Sequence, residues 1–386
     1  LYLALTLWIL FAALFISDET AWALGEIRGQ WLKGALALLT GGALAAALRQ
    51  DAMWERAAVI VVFATLLLHV AYVDYVALKD LIQAGTILHR VRGLAEASDK
   101  SNYLSNLLLY LILAEVFVRV TYHRAFLPFS HGILIAILAL TLFSIYAEGM
   151  RNGVIELSFI FLIFTILFLR ENRQRISGRI LAFTLLLLLL VPMLFAYLSY
   201  RADERWQSFL DTVPLALDTE GNRQWVNWER RLELKLPSGE PVDWSNYMRM
   251  ARIKAGVDLV REYPLGVGYG RNAFAHAVMK KYGESSAHSH SGLIDFAIGV
   301  GVPGTLLWLG FLASLAVLGW RSFSSSRHPV ALALLLVTLG FSVRMVLDSI
   351  IRDHMLQMFL FLAAFLAVTA AGRLHREPDK APTPFA

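Results

Sequence analysis

Between Leu181 and Tyr200 the chain runs through an almost unbroken apolar stretch that includes six consecutive leucines, Leu185–Leu190. A helix with no polar face has to be covered on every side, and hydrocarbon does this without further protein. About 20 mostly apolar residues reach across a bilayer. Comparable runs fall at 1–16, 32–48, 57–78, 103–122, 128–147, 152–169, 180–200, 292–320, 330–347 and 355–372, about ten in all. The 32–48 run is rich in Gly and Ala, which suits a helix packed closely inside a bundle. Backbone in hydrocarbon must satisfy its own hydrogen bonds, so these runs predict helices. The fold class expected is an all-α polytopic membrane protein, a helical bundle. With 57% apolar and 17% charged residues, the composition excludes an ordinary soluble enzyme and a disordered chain. The absence of cysteine excludes a disulfide scaffold, a thiol nucleophile and thiolate metal sites. The chain opens at Leu1 inside an apolar run, and we expect one or two further helices ahead of it.

Lys and Arg in short loops set the direction of threading. Arg170, Arg173, Arg175 and Arg179 crowd one linker against a single Glu171. Arg321 and Arg327 occupy another, and Arg373, Arg376 and Lys380 the tail. With ten spans these fall on one side, together with Arg49/Arg56 and Arg119/Arg124, and that side is expected to be the cytoplasm. The net charge of +5 therefore follows membrane orientation, and no nucleic-acid partner is expected.

The opposite face then receives segments near 17–31, 79–102, 148–152, 201–291 and 348–354. All but one are short. The 201–291 segment carries 13 Arg and Lys against 12 Asp and Glu, with Trp206, Trp225, Trp228 and Trp244. A connector of this length is either functional or disordered, and its aromatics and patterning argue for a folded domain. Gln224–Leu236 alternates like a strand or hairpin ending at Pro237-Ser238-Gly239. Asp243–Glu262 reads as an amphipathic helix stopped before Pro264, and Asn272–Tyr282 as a shorter one. The expected organisation is helices 1–7 in 1–200, an outer loop domain in 201–291, and three helices plus a cytoplasmic tail in 292–386.

Ionisable groups beside a membrane are functional candidates because placing them there costs several kcal/mol unless they are paired or hydrated. In the turn Glu148-Gly149-Met150-Arg151-Asn152, Arg151 sits at an outer helix end, either as a functional cation or snorkelling and paired with Glu148 or Glu156. Arg249, Arg252 and Lys254 precede Pro264-Leu265-Gly266-Val267-Gly268-Tyr269-Gly270-Arg271. This stretch lacks the lysine and hydroxyl of a P-loop, so its glycines either bring N–H groups to an anion or let the loop pack tightly. In Ala287-His288-Ser289-His290-Ser291-Gly292-Leu293-Ile294-Asp295, residues two apart share a site only if the segment is extended. A surface loop and a His-x-His metal pair completed by Asp295, Asp348 or His354 remain open beside the chemical alternative. In that alternative Ser291 caps a helix starting near Gly292, and the positive helix end keeps His290 neutral. A neutral imidazole beside arginines suits transfer chemistry on a lipid-linked phosphate.

Two local charge pairs have a structural explanation. Glu115 and Arg119, and Arg344 and Asp348, are each four apart within apolar spans, the spacing of a helix ion pair. They are also the main support for a transporter or flippase, an alternative that leaves the outer domain without a role and lacks an inverted repeat.

The order Arg151, Arg249, Pro264-Leu265-Gly266-Val267-Gly268, His288-Ser289-His290-Ser291-Gly292 and Gly299-Val300-Gly301-Val302-Pro303-Gly304 resembles the O-antigen ligase family, within the ligase/polymerase superfamily. The topology is similar throughout and the motifs cover about 145–305. Met150 and Asn152 replace the family's residues flanking the arginine, and Ser291 replaces an Asn. The resemblance implies a GT-C-like fold of about twelve helices with a large periplasmic loop late in the chain. It implies transfer of a glycan from undecaprenyl diphosphate onto lipid A–core oligosaccharide at the periplasmic face of the bacterial inner membrane, inverting and without a metal or other cofactor. It places the catalytic role on His290 first and His288 second, and assigns Arg249 and Arg151 to the diphosphate with Arg252 as understudy. Tyr269, Arg271 and Asp295 are candidates for orienting sugars. An O-antigen polymerase or a protein O-oligosaccharyltransferase would take the same donor and differ in acceptor.

Overall fold

The computed structural model describes residues 1–373 apart from 87–89, 96, 175–176, 203–205, 207–208, 227–233, 237–238 and 285. In chain order its helices are α1 (Tyr2–Phe15), α2 (Thr20–Glu26), a π-helical turn (Ile27–Trp31), α3 (Leu32–Leu48), α4 (Ala52–Ala84), α5 (Ser98–Tyr122), α6 (His131–Glu148) and α7 (Arg151–Asn172). They continue with α8 (Gly178–Ala202), α9 (Phe209–Leu217), a 3-10 turn (Arg223–Trp225), α10 (Trp244–Glu262), α11 (Ala273–Tyr282), α12 (Gly292–Ser326), α13 (Pro329–Leu347) and α14 (Asp353–Arg373). Among the described residues nine helices are long and apolar enough to cross a bilayer, with Thr20–Leu48 forming one of them across the π turn. The protein is a polytopic α-helical membrane protein.

The first expected span is not among the nine. It is α1, a 14-residue apolar helix at the very start of the sequence. The span expected at 32–48 begins earlier, at Thr20, because the π turn joins α2 to α3 without breaking the run. Arg175, Arg376 and Lys380 lie outside the described residues, as does most of the hairpin expected over Gln224–Leu236. What is described there is the 3-10 turn and an isolated bridge between Lys235 and Pro241.

The chain folds as two compact units. Unit 1 comprises Leu1–Leu36, Tyr200–Ala313 and Arg344–Gln357, and unit 2 comprises Ala37–Ser199, Ser314–Val343 and the chain from Met358.

Unit 2 is organised on α5, which is buried along most of its length. Its polar residues line one helical face and supply the donors that buried carboxylates require. Ser101 and Ser105 donate to Glu148 Oε1 at 2.7 and 2.8 Å, and Asn102 to Glu148 Oε2 at 3.0 Å. Asn106 donates to Glu156 Oε2 at 2.7 Å, and the Tyr110 hydroxyl to Glu156 Oε1. Glu148 ends α6, Glu156 lies one turn into α7, and Arg151 is the first residue of α7. The local Glu115–Arg119 pair expected from spacing forms at 2.7 Å.

Unit 1 has its own core of Trp225, Tyr247, Ala251, Leu259, Phe274, Ala277 and Ile298. The expected helix over 243–262 is α10, capped by the Asp243 side chain accepting from Asn246 N at 2.7 Å. Its buried residues Tyr247, Ala251, Ala255 and Leu259 follow the four-residue spacing of one helical face. α11 is the shorter helix expected at 272–282. The glycine-rich loop after Pro264 lies backbone to backbone against α12. Val267 N donates to Ile298 O at 2.9 Å, Gly268 N to Gly299 O at 3.0 Å and Val302 N to Pro264 O at 2.8 Å. The α12 helix is interrupted at Gly301 (φ 67°), where a Cβ would stand 2.3 Å from the carbonyl carbon of Leu265. The glycines therefore serve close packing, and the N–H groups of Val267 and Gly268 are used by α12 rather than left for an anion.

Near the start of unit 1, the π turn buries Gln30 and Trp31. The Trp31 indole stacks on Tyr2 at 4.9 Å, meets Tyr269 edge-on at 5.5 Å, and donates to Thr6 at 3.0 Å. On the preceding turn Glu26 accepts from the Arg271 N–H at 3.0 Å.

Candidate active site

The segment joining α11 to α12 enters the helix through Ser291, whose carbonyl accepts the first helical bond from Asp295 N at 2.9 Å. Ser291 thus stands at the expected cap position. The structural work is shared with Asp295, one turn inside α12. Its Oδ1 accepts from Ser289 N at 2.8 Å, and its Oδ2 from the Ser349 hydroxyl at 2.6 Å. Ser349 follows α13, whose last turn holds the expected Arg344–Asp348 pair at 3.5 Å. Ser349 Oγ lies 3.1 Å from His288 Nδ1.

The two histidines share the site. Their rings meet edge-on with centroids 4.2 Å apart, and His290 N donates to His288 Nδ1 at 3.2 Å. His290 has φ 64°, a left-handed conformation that costs a side-chain-bearing residue roughly 1–2 kcal/mol.

Both imidazoles are held neutral. Burial pushes His290 down to about 2, helped by His288 and then by Arg249, Arg252 and Arg352. His288 is pushed down to about 4, first by burial, then by Arg352 and Arg252, with Asp348 opposing. Burial also brings the Arg252 guanidinium down to about 10, with Asp295 opposing, and its Nε is buried without a hydrogen-bond partner among the described residues. Three guanidinium groups therefore act on one histidine pair.

Beside them is a pocket of about 310 Å³, open to solvent, whose lining includes Tyr269, Arg271, Asp295, Ser349 and Arg352. Tyr269 is buried, and burial pushes its phenol well up. Arg271 is half-exposed and lies 3.5 Å from Glu26 and 3.4 Å from Asp353. Among the described residues no group of three His, Asp or Glu side chains forms a metal-ligating cluster.

Of the residues singled out in the sequence, His288, His290, Arg249, Arg252, Tyr269, Arg271 and Asp295 all belong to unit 1, while Arg151 belongs to unit 2. Sequence reasoning missed Ser349 and Arg352. A signal for Arg352 was present: it is an arginine in a short loop expected on the face opposite the basic linkers, against the usual charge bias. Ser349 gave none, since a lone serine after a helix is ordinary capping chemistry.

No curated protein matches the chain. Residues 136–309 match the model of a family described as O-antigen ligase, a stretch that contains Arg151 and all seven of the unit 1 residues just named. The match over residues 136–309 supports membership of the O-antigen ligase family.

Proposed function

We propose that the protein is an O-antigen ligase. It moves a glycan from undecaprenyl diphosphate onto lipid A–core oligosaccharide at the periplasmic face of the bacterial inner membrane, with a GT-C-like helical bundle and the 201–291 segment as its periplasmic domain. The observation that carries this is a neutral histidine pair set among Arg249, Arg252 and Arg352. The reaction is a direct displacement at the anomeric carbon. His290 takes the proton of the acceptor hydroxyl as the new C–O bond forms, and the diphosphate leaves with the electrons of the bond that breaks. General-base help of this kind is worth about 10²–10⁴-fold.

The arginines stabilise the departing diphosphate, since a guanidinium stays charged and its planar fork fits phosphate oxygens. Fixed cations aimed at charge that develops in the transition state are commonly the largest catalytic contribution. They also tune the base. Together with burial and His288 they depress His290, and a bound diphosphate cancels much of their field and lets the imidazole accept a proton more readily. Tyr269, Arg271 and Asp295 orient sugar hydroxyls. The family resemblance assigns Arg151 a share of the diphosphate, and Arg151→Gln tests that assignment by itself.

Purified protein given one labelled prenyl-diphosphate glycan with lipid A–core, a second lipid-linked repeat, or a Ser/Thr peptide should transfer to the first. His290→Ala and Arg249→Ala should each abolish transfer while the protein still inserts and purifies. Transfer at the wild-type rate by His290→Ala would remove the base assignment, and preference for another acceptor would replace the ligase by its polymerase or protein-glycosylating relatives.

A further inference from the structure

We propose that His288 is a positioning residue and not a second base: its Nδ1 accepts the His290 amide and holds His290 in the backbone conformation that presents its imidazole. The proposal rests on the reading of His290 as the base.

The hydrogen bonds separate the two histidines. A neutral imidazole carries one hydrogen and one lone pair. His288 spends its Nδ1 lone pair on the His290 N–H at 3.2 Å, which places the ring hydrogen on Nε2. His288 thus turns its basic nitrogen inward and offers only a donor outward. His290 makes that bond with its backbone, so its ring nitrogens are not committed by it.

The backbone explains why a brace is needed. His290 has φ 64°, a region glycine enters easily and histidine does not. It is fixed from both sides. Ser289 N is tied to Asp295 Oδ1 at 2.8 Å, and the Ser289 hydroxyl accepts from Ser291 N at 3.1 Å and donates to Ser291 O at 2.9 Å. The His290 N–H reaches back to the His288 ring. Ser349 Oγ stands 3.1 Å from the same Nδ1 but spends its hydrogen on Asp295 Oδ2 at 2.6 Å, so it packs against the ring and adds no hydrogen bond to it. One carboxylate therefore holds the loop with one oxygen and Ser349 with the other. Strained, over-determined backbone of this kind is characteristic of residues that must be aimed.

The test uses the full-length protein in nanodiscs and three substitutions at one position. Asn places an oxygen where Nδ1 was and can still accept the His290 N–H, while Gln reaches to the Nε2 position and Ala reaches neither. Nitrogen NMR of the histidine-labelled protein should show hydrogen on Nε2 of His288 in the wild type. His288→Asn should keep kcat within about tenfold, whereas His288→Ala and His288→Gln lose about 100-fold in kcat with donor KM little changed, the size of a small misplacement of a reacting group. Ser349→Ala should fall between these. Hydrogen on Nδ1, or a His288→Asn variant as inactive as His290→Ala, would overturn the proposal. If the wild type itself transfers from no prenyl-diphosphate donor, the reaction falls, and the NMR result still decides the brace.

Discussion

Gln30 and Asp353 bind each other twice: Gln30 Nε2 donates to Asp353 Oδ1 at 3.1 Å, and Asp353 N donates to Gln30 Oε1 at 2.7 Å. Asp353 has φ 52°, so the pair also secures a left-handed start to α14. Gln30 is buried, and removing it takes the acceptor from the Asp353 N–H and leaves Oδ1 with Arg271. Gln30→Ala should cost about 1–3 kcal/mol. Arg271→Ala, which breaks half-exposed pairs with Glu26 and Asp353, should cost under about 1 kcal/mol. Thermal unfolding of the detergent-solubilised protein checks both, and equal losses would contradict the assignment.

The charge on Arg352 should be visible in the pH profile. Arg352 lowers both histidines, and the base must be neutral to act. Arg352→Gln removes a cation, raises the imidazole pKa, and should move the acid limb of kcat/KM to higher pH. Arg352→Lys should leave it near its wild-type position. A limb that moves to lower pH in Arg352→Gln would show that the titrating group is not a histidine held down by this arginine.

Acid should also weaken the folded state. Histidines near 6.5 when unfolded stand at about 4 and about 2 in the fold, so the unfolded chain binds more protons between those values. Their contribution is fully present above pH 6.5 and is lost as pH falls through the window below it, at about 1.4 kcal/mol per pH unit for each histidine. Unfolding midpoints measured from pH 7 to pH 5 should fall less in a His288→Asn/His290→Asn double variant than in the wild type. An unchanged slope would mean the two imidazoles are not buried as described.

The loop against α12 gives a graded prediction. In Gly301→Ala the new Cβ meets the Leu265 backbone at 2.3 Å, and in Gly266→Ala it meets Gly299 O at 2.5 Å, both at positive φ. Gly283→Ala has positive φ but nothing within 4 Å. The first two should each lose more than about 2 kcal/mol and combine less than additively, because they spoil one shared contact. Gly283→Ala should lose only about 1 kcal/mol. Similar losses at all three would make strain alone responsible.

The membrane helices were legible because hydrocarbon imposes a length and a composition that the sequence carries locally. α10 and α11 were legible for a similar reason, through the Asp243 cap and the stop before Pro264. The site was half legible. The sequence marks His288 and His290 by spacing and Arg249 by its place before the glycine loop. It does not disclose that Asp295 would turn back to Ser289, or that Ser349, 54 residues further on, would bind the same carboxylate. Those contacts are set by packing between distant elements, which has no local signature. The glycines left two explanations open, and only the backbone bonds to Ile298 and Gly299 decide for packing.

The widened turn at Ile27–Trp31 sets an angular phase. Each residue of a regular helix advances about 100° around its axis, and a π turn absorbs one extra residue without breaking the run. Ahead of it Glu26 faces Arg271, and within it Trp31 faces Tyr2 and Tyr269. Shortening this turn by a single residue would rotate one group of contacts away from the other while leaving every side chain intact. The pocket wall at Tyr269–Arg271 thus depends on a residue count, and a one-residue deletion there should do more harm than any single substitution in the turn.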